Sequence, residues 1–428
     1  MNSMLARRVF EAGAKVRNPT LFQQYDYLKS TEWLSRAELE TIQLASAEKF
    51  LRFCGEHSPY YQQVFRATGF DPSRFSRAAD LSVLPEMDKA TLIRENSAIH
   101  TSGLNEKLRL AETSGTSGEA LAFYRNERWD SAIRAALMRS YDWYDVKPWD
   151  KNGYLWGYNI GASQAKKVAL LDGIQNRFRL FRYSESEIRR FCHRLQSSSF
   201  ISGYSSMIYE VAKCVNELEL GPLPLKMVKG TSEMILDAYH PESRAAFGKN
   251  ITSEYGAAEA GLIAFECPYG GIHVNIENVL LEQSNDGELL VTNLLSYSFP
   301  VIRYRLGDMV TLSDETCPCG RNHPVLKNIL GRKGANVVGD QQTYPALTFY
   351  YVFKNLALEK NILLNYKAVQ HTQGKVKIFI EGKTNQQYQK DIELQLQRYF
   401  GDDIDFSTLY IDRFVNEMKK KQYFETSL

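Results

Sequence analysis

Ala111-Glu-Thr113-Ser-Gly-Thr-Ser-Gly118-Glu119 follows one short apolar run and precedes another, Ala120 to Tyr124. Two glycines and four hydroxyl residues make poor core. They make a good phosphate loop. Glycine permits close backbone approach, exposed N–H groups can converge on an anion, and the hydroxyls add donors. No Gly-Lys-Ser/Thr closes the stretch, so it is not a Walker-type loop. On these nine residues alone, an ordinary turn and a phosphate grip are equally good readings.

The rest of the chain bounds the answer. At 428 residues it is too long for one ordinary core, so two or more domains are expected. Hydrophobic content of 44% and charged content of 24% are those of a soluble globular protein. A formal net charge of +2 gives nucleic-acid binding no support. No apolar run has the length of an integral membrane segment. Met1 to Arg17 is basic and lacks an apolar core, so it does not read as a secretory signal. A peripheral membrane contact through Met4, Leu5, Val9 and Phe10 and a packed or solvated helix are both open there. Six cysteines in such a chain do not form a disulfide framework, and a cytoplasmic, reduced setting is expected.

Outward from the loop, helices and strands alternate. Ser35-Arg-Ala-Glu38 is a capping box, with Leu39, Ile42, Phe50 and Phe53 on one helical face. Ser58-Pro59 ends that helix. Residues 129 to 144 read as a helix and 153 to 161 as a strand. Ser184-Glu-Ser-Glu187 is a second capping box, with Ile188, Phe191 and Leu195 behind it. A helix opens at Gly203-Tyr-Ser-Ser206. Strands are expected at 225–229, 250–254, 279–282, 287–292 and 309–312. Past residue 331, a hairpin (363–369 with 376–380), a helix at 386–399 and a strand at 406–411 form a small α+β unit. The expected fold class is α/β: a large layered N-terminal domain with a β-rich subdomain over 1–331, and a small α+β C-terminal domain over 332–428.

Four motifs occur in order: Thr113-Ser-Gly-Thr-Ser-Gly118, Ser253-Glu-Tyr-Gly256-Ala-Ala-Glu259, Arg303-Tyr-Arg-Leu-Gly-Asp308 and Gly331-Arg332. Together they resemble the core motifs of adenylate-forming enzymes over nearly the whole chain. His57-Ser-Pro-Tyr-Tyr61, Phe265-Glu-Cys267 and Cys317-Pro-Cys-Gly-Arg321 resemble the phenylacetate–CoA ligase branch, which includes CapK-like proteins. The resemblance implies an ATP-dependent ligase that activates a small carboxylic acid as an acyl-adenylate, with release of pyrophosphate. Coenzyme A, a carrier-protein thiol or an amine would then accept the acyl group. It implies that Thr113, Ser114, Gly115, Thr116, Ser117 and Gly118 hold the β- and γ-phosphates and that Glu259 positions Mg²⁺. Tyr255, beside Gly256, would stack on adenine, Ser232 and Glu233 would line its far edge, and Asp308 would bind the ribose. Arg332 would precede a hinge at Lys333 and Gly334. Lys420, flanked by Lys419 and Lys421, would bond the reacting carboxylate and phosphate; a solvated basic tail is the competing reading. Trp156, Tyr158 and Tyr204 permit an aromatic or apolar acid.

The chain departs from that pattern. Glu119 follows the loop where Lys is usual, Ala258 and Leu306 stand where Thr is common, and the acidic pair after Gly-Arg is missing. A CapK-like acyl or amide ligase in polysaccharide or specialised metabolism is therefore an alternative, as is a degenerate, non-catalytic nucleotide-binding protein. Cys267, His273, Cys317 and Cys319 form a Cys₃His set suited to closed, tetrahedral structural zinc, as at similar positions in related ligases. Cys54, Cys192 and Cys214 fall on predicted helices and read as core. Oligomeric state is not fixed by the sequence, with a homodimer one option.

Overall fold

A computed structural model describes residues 3–113, 121–155, 162–180, 185–313, 315–327, 329, 336–360, 362–412, 414 and 424–428. Its two compact units are Met1–Asp150 with Thr252–Ile329, and Lys151–Ile251 with Leu330–Leu428.

The first unit starts with helices whose ends are set locally. Ser35 accepts from the Glu38 backbone while Glu38 binds the Ser35 N–H, completing the box that opens the helix Arg36–His57. Ser58 then caps the helix Pro59–Thr68, with Pro at its first position, where a missing N–H costs nothing. The buried face of the longer helix is Leu39, Ala47, Phe50, Leu51 and Cys54, so Ile42 and Phe53 lie at its margin. Near the N-terminus, Phe10 packs on Trp149 at 5.4 Å, whereas Met4 and Leu5 stay exposed. The helix Glu127–Asp142 is lined with Ser131, Ala132, Ala135, Ala136 and Ser140, all buried. Those small side chains let neighbouring backbone approach it closely.

The described residues of this unit also form three β-elements. The hairpin Leu108–Glu112 with Ala122–Asn126 flanks the hydroxyl loop. An antiparallel sheet joins Val279–Gln283, Glu288–Asn293 and Val301–Met309. An antiparallel run joins Thr252–Ala257, Gly261–Glu266, Ile272–Val274, Val325–Lys327 and Thr311–Ser313. The β-rich region expected near residue 300 is present. Its third strand starts eight residues earlier than the sequence reading placed it, at Val301 instead of Met309. Arg303 and Arg305 obscure that strand because their charges are paired, Arg303 with Glu282 and Arg305 with Glu288.

The second unit has a parallel set in the order Met227–Thr231, Phe200–Tyr204, Asn152–Leu155 and Arg177–Arg179. The helices Glu185–Leu195 and Ser205–Glu217 bury Ile188, Phe191, Leu195, Val211, Ala212 and Val215 in its core. Cys192 and Cys214 are in the same core, as Cys54 is in the other unit. The chain's last part adds the order Asp405–Ile411, Lys375–Glu381, Tyr366–Thr372 and Phe424–Thr426, with the helix Gln386–Phe400. The helix falls where the sequence pattern put it, and the hairpin is present with its first strand, Tyr366–Thr372, three residues later than expected. The architecture is mixed α/β.

Candidate active site and metal centre

The neck of the hydroxyl loop is closed by two hydrogen bonds. The Thr113 N–H donates to the Leu121 carbonyl at 2.9 Å, and the Leu121 N–H donates to Thr113 Oγ1 at 3.0 Å. Thr113 is thus tied to the base of the loop. Ser114, Gly115, Thr116, Ser117, Gly118 and Glu119 lie outside the described residues, as do Trp156, Tyr158, Ser184, Arg332, Lys333, Gly334, Lys419, Lys420 and Lys421.

The second motif occupies the strand Thr252–Ala257 and the turn after it. Its register slips between Tyr255 and Gly256, and a Cβ on Gly256 would stand 2.3 Å from the Gly261 carbonyl oxygen. Only glycine fits this close backbone crossing. Glu259 follows in the turn, 6% exposed. Among the described residues, its carboxylate takes no hydrogen bond or ion pair. Its backbone is held: Asn293 Nδ2 donates to the Glu259 carbonyl at 2.9 Å, and Arg125 Nη2 donates to the Ala258 carbonyl at 2.5 Å. Arg125 and Asn293 are the residues the sequence reading passed over. A charged residue alternating with Phe123 on the strand behind the loop was the available signal.

The second and third motifs meet. The Tyr255 hydroxyl donates to Asp308 Oδ2 at 2.8 Å, across 53 residues of chain. Ser232 and Glu233 lie in the second unit, after the strand Met227–Thr231. Ser232 adopts φ +64°, uncommon for a residue with a Cβ. The Glu233 carboxylate accepts from the Ser206 N–H at 2.9 Å, at the start of the helix Ser205–Glu217.

The Cys and His set converges. Cys267 and Cys317 sulfurs are 3.6 Å apart, and the Cys319 sulfur is 3.2 Å from His273 Nε2. All four ligand atoms lie within 4.8 Å of one another. Tetrahedral zinc with Zn–S bonds near ~2.3 Å needs sulfur separations of about 3.8 Å, so the set has the right size. Two tight turns present the ligands, closed by Gly270 N–H to Cys267 O at 2.9 Å and Gly320 N–H to Cys317 O at 3.1 Å. A Cβ on Gly271 would stand 2.6 Å from the Cys317 sulfur and 3.1 Å from His273 Nε2, within the ligand set. Burial pushes His273 down to about 4, with His323 adding to the shift, so the imidazole is neutral near pH 7, as a metal ligand must be. Beside the set, Arg321 lies 4.7 Å from the Trp33 ring and 4.6 Å from the Trp143 ring. It donates from Nε and Nη2 to Glu32 Oε1.

Comparison with known proteins gives the site its context. The chain is 21% identical to Protein CapK of Staphylococcus aureus over 321 residues, 69% of this chain and 68% of the relative. It is 23% identical to a phenylacetate-coenzyme A ligase of Thermus thermophilus over 353 residues, 74% of this chain and 76% of that protein. The solved structure of 2-hydroxyisobutyryl-CoA ligase in the postadenylation state with 2-HIB-AMP matches at a TM-score of 0.73 and 16% identity, covering 93% of this chain and 91% of that one. The chain is thus similar in sequence to CapK and to a phenylacetate–CoA ligase, and shares its fold with an adenylate-forming acyl-CoA ligase. No family model matches it. The match to 2-hydroxyisobutyryl-CoA ligase covers residues of both units. No described helix is long and apolar enough to cross a membrane.

Proposed function

We propose that this protein is an AMP-forming ligase that joins a small carboxylic acid to coenzyme A, or to another thiol or amine, through an acyl-adenylate. The observation that carries this reading is the Tyr255–Asp308 hydrogen bond, which unites two motifs far apart in sequence in the unit that also holds Glu259 and Thr113. In the first half-reaction a carboxylate oxygen attacks the α-phosphorus of ATP, and the bond to the β-phosphate oxygen breaks, releasing pyrophosphate. In the second, a thiol or amine attacks the acyl carbonyl and AMP leaves.

The loop from Thr113 to Gly118 would hold the β- and γ-phosphates by backbone N–H groups and hydroxyls. Glu259 would hold Mg²⁺, a hard cation that takes oxygen ligands; a buried carboxylate without a hydrogen bond among the described residues fits that role. Mg²⁺ supplies charge neutralisation of the phosphates. Tyr255 and Gly256 would pack against adenine, and Asp308 would accept from the ribose hydroxyls. Residues 332–428 would act as a mobile C-terminal domain hinged after Arg332, with Lys420 reaching the reacting carboxylate. We place the protein in the cytoplasm, in keeping with its six free cysteines.

The test is ATP–pyrophosphate exchange over a panel of aromatic, fatty and amino acids. Exchange dependent on one class of acid is expected, and it names the substrate. ATP binding without exchange for any acid would favour a nucleotide-binding protein that does no chemistry, the reading that Glu119 and Ala258 favour. Product analysis with coenzyme A against amines then separates a thioester-forming enzyme from a CapK-like amide ligase.

Cys267, His273, Cys317 and Cys319 would bind one structural zinc. All four positions of the tetrahedron are protein ligands, so the metal would clip the two turns together and take no part in the reaction. One zinc per chain is expected by elemental analysis. Gly271→Ala should lose it and melt at lower temperature, since its methyl enters the ligand set. A metal-free protein whose melting is unchanged by chelator would remove the assignment.

A further inference from the structure

We propose that Arg125 is a positioning residue: it ties the hairpin that carries the phosphate loop to the turn that carries Glu259, and places a positive charge beside that turn. The proposal rests on the reading of Glu259 as the Mg²⁺ ligand.

Strand alternation puts Phe123 and Arg125 on the inward face of Ala122–Asn126, with Tyr124 outward. The guanidinium carbon of Arg125 stands 5.6 Å from the Phe123 ring and 5.4 Å from the Trp129 ring. Both rings are buried, at 1% and 0% exposure. They hold the guanidinium in one place by their faces. From there Nη2 reaches the Ala258 carbonyl, while Nε is buried and has no hydrogen-bond partner among the described residues. Burial works against the charge of Arg125; Asp130 and Glu259 are the groups that favour it.

Asn293 holds the next carbonyl, that of Glu259. Two consecutive carbonyls of one short turn thus accept from two side chains, one on the loop hairpin and one on the three-stranded sheet. Mg²⁺ demands near-ideal octahedral geometry, so a ligand on a turn needs that turn fixed. Charge points the same way. Between Leu110 and Tyr124 the chain has Glu112 and Glu119 and no Lys or Arg, so Arg125 is the first cation after the loop. A triphosphate and a carboxylate meeting there need a positive neighbour besides the metal. Arginine also suits the place better than lysine, because its planar fork can reach a carbonyl while lying between rings.

The experiment is calorimetric binding of MgATP at several Mg²⁺ concentrations, for wild type, Arg125→Met, Arg125→Lys and Asn293→Ala, with thermal melting of each. Arg125→Met should weaken MgATP binding about tenfold or more, as loss of a group supporting a metal ligand does, and raise the Mg²⁺ concentration for half-saturation. Its KM for the acid should stay at the wild-type value. Arg125→Lys keeps the charge and loses the fork, so it should fall between. Asn293→Ala loosens the same turn without altering charge and should weaken binding less than Arg125→Met. Wild-type binding and Mg²⁺ dependence in Arg125→Met would overturn the proposal, as would a loss of binding in all three variants that only follows a loss of cooperative melting. If Arg125→Met does not fold, Arg125→Lys and Asn293→Ala decide, and unchanged Mg²⁺ dependence in both overturns it. The ligase reading is judged separately, by acid-dependent exchange in the wild type. MgATP binding without exchange would end that reading and leave the Arg125 comparison valid.

Discussion

Glu259→Ala should lower acid-dependent ATP–pyrophosphate exchange by roughly 10²–10³-fold, the scale on which a single preorganised electrostatic group acts in a transition state. The fold should survive. Among the described residues no hydrogen bond or ion pair ends on the Glu259 carboxylate, and the bond from Asn293 goes to its backbone carbonyl, which alanine retains. The cost therefore falls on the metal and the phosphates. Glu259→Gln sharpens the comparison, since it keeps the volume and one oxygen and removes the charge. Its activity should lie between the two and recover partly at raised Mg²⁺. Melting curves for both variants should overlay the wild type. Retained exchange in Glu259→Ala would take the metal away from this residue. A collapse of melting together with exchange would make it a structural carboxylate.

The outline of the fold was legible because its strongest signals are local. Ser35 and Glu38 close a capping box by their own side chains, and Pro59 opens a helix by lacking an N–H, so neither needs the rest of the chain. The C-terminal hairpin is marked by turn residues between alternating apolar ones. The strand Val301–Met309 was hidden because Arg303 and Arg305 break its apolar pattern. Arg303 is buried and Arg305 half-buried, and carboxylates on other segments, Glu282, Glu288 and Glu86, pair with them. The same reason hid Arg125, whose carbonyl partner lies 133 residues away. The Cys and His set was legible in outline from residue type, since few other arrangements suit three cysteines and a histidine. What spacing could not give was Gly271, a glycine that leaves room inside the set. By resemblance Tyr255 serves adenine and Asp308 the ribose; that a hydrogen bond joins them is information only the tertiary fold carries.

Breaking the buried pair Arg139–Glu277 should cost stability on a scale that no surface ion pair among the described residues approaches. Arg139 is 1% and Glu277 4% exposed. Arg139 Nη1 donates to Glu277 Oε1 at 2.6 Å and Nη2 to Oε2 at 3.3 Å, with a further bond from Nη2 to Asn275 Oδ1 at 2.6 Å. Thr31 Oγ1 donates to Glu277 Oε1 at 2.6 Å, and His323 Nε2 lies 3.1 Å from the same oxygen. Glu277→Leu strands a guanidinium in the interior, and Arg139→Met strands a carboxylate. Each should lose about 3–5 kcal/mol by denaturant titration. The double variant Arg139→Met with Glu277→Leu should lose much less than the sum, because the desolvation of both charges disappears with them. Burial alone would push the Glu277 carboxyl up, but Arg139 and His323 outweigh it and hold it far below its ordinary value of 4.5. A depressed folded pKa means this contribution is complete above that ordinary value and drains away as the pH falls below it. The double variant should therefore lose stability less steeply in acid than the wild type does. Parallel acid profiles, or strict additivity of the two single changes, would show that the pair is not coupled. Since His323 follows Cys317 and Cys319 closely in the chain, zinc content of the single variants reports whether the network also steadies the metal turns.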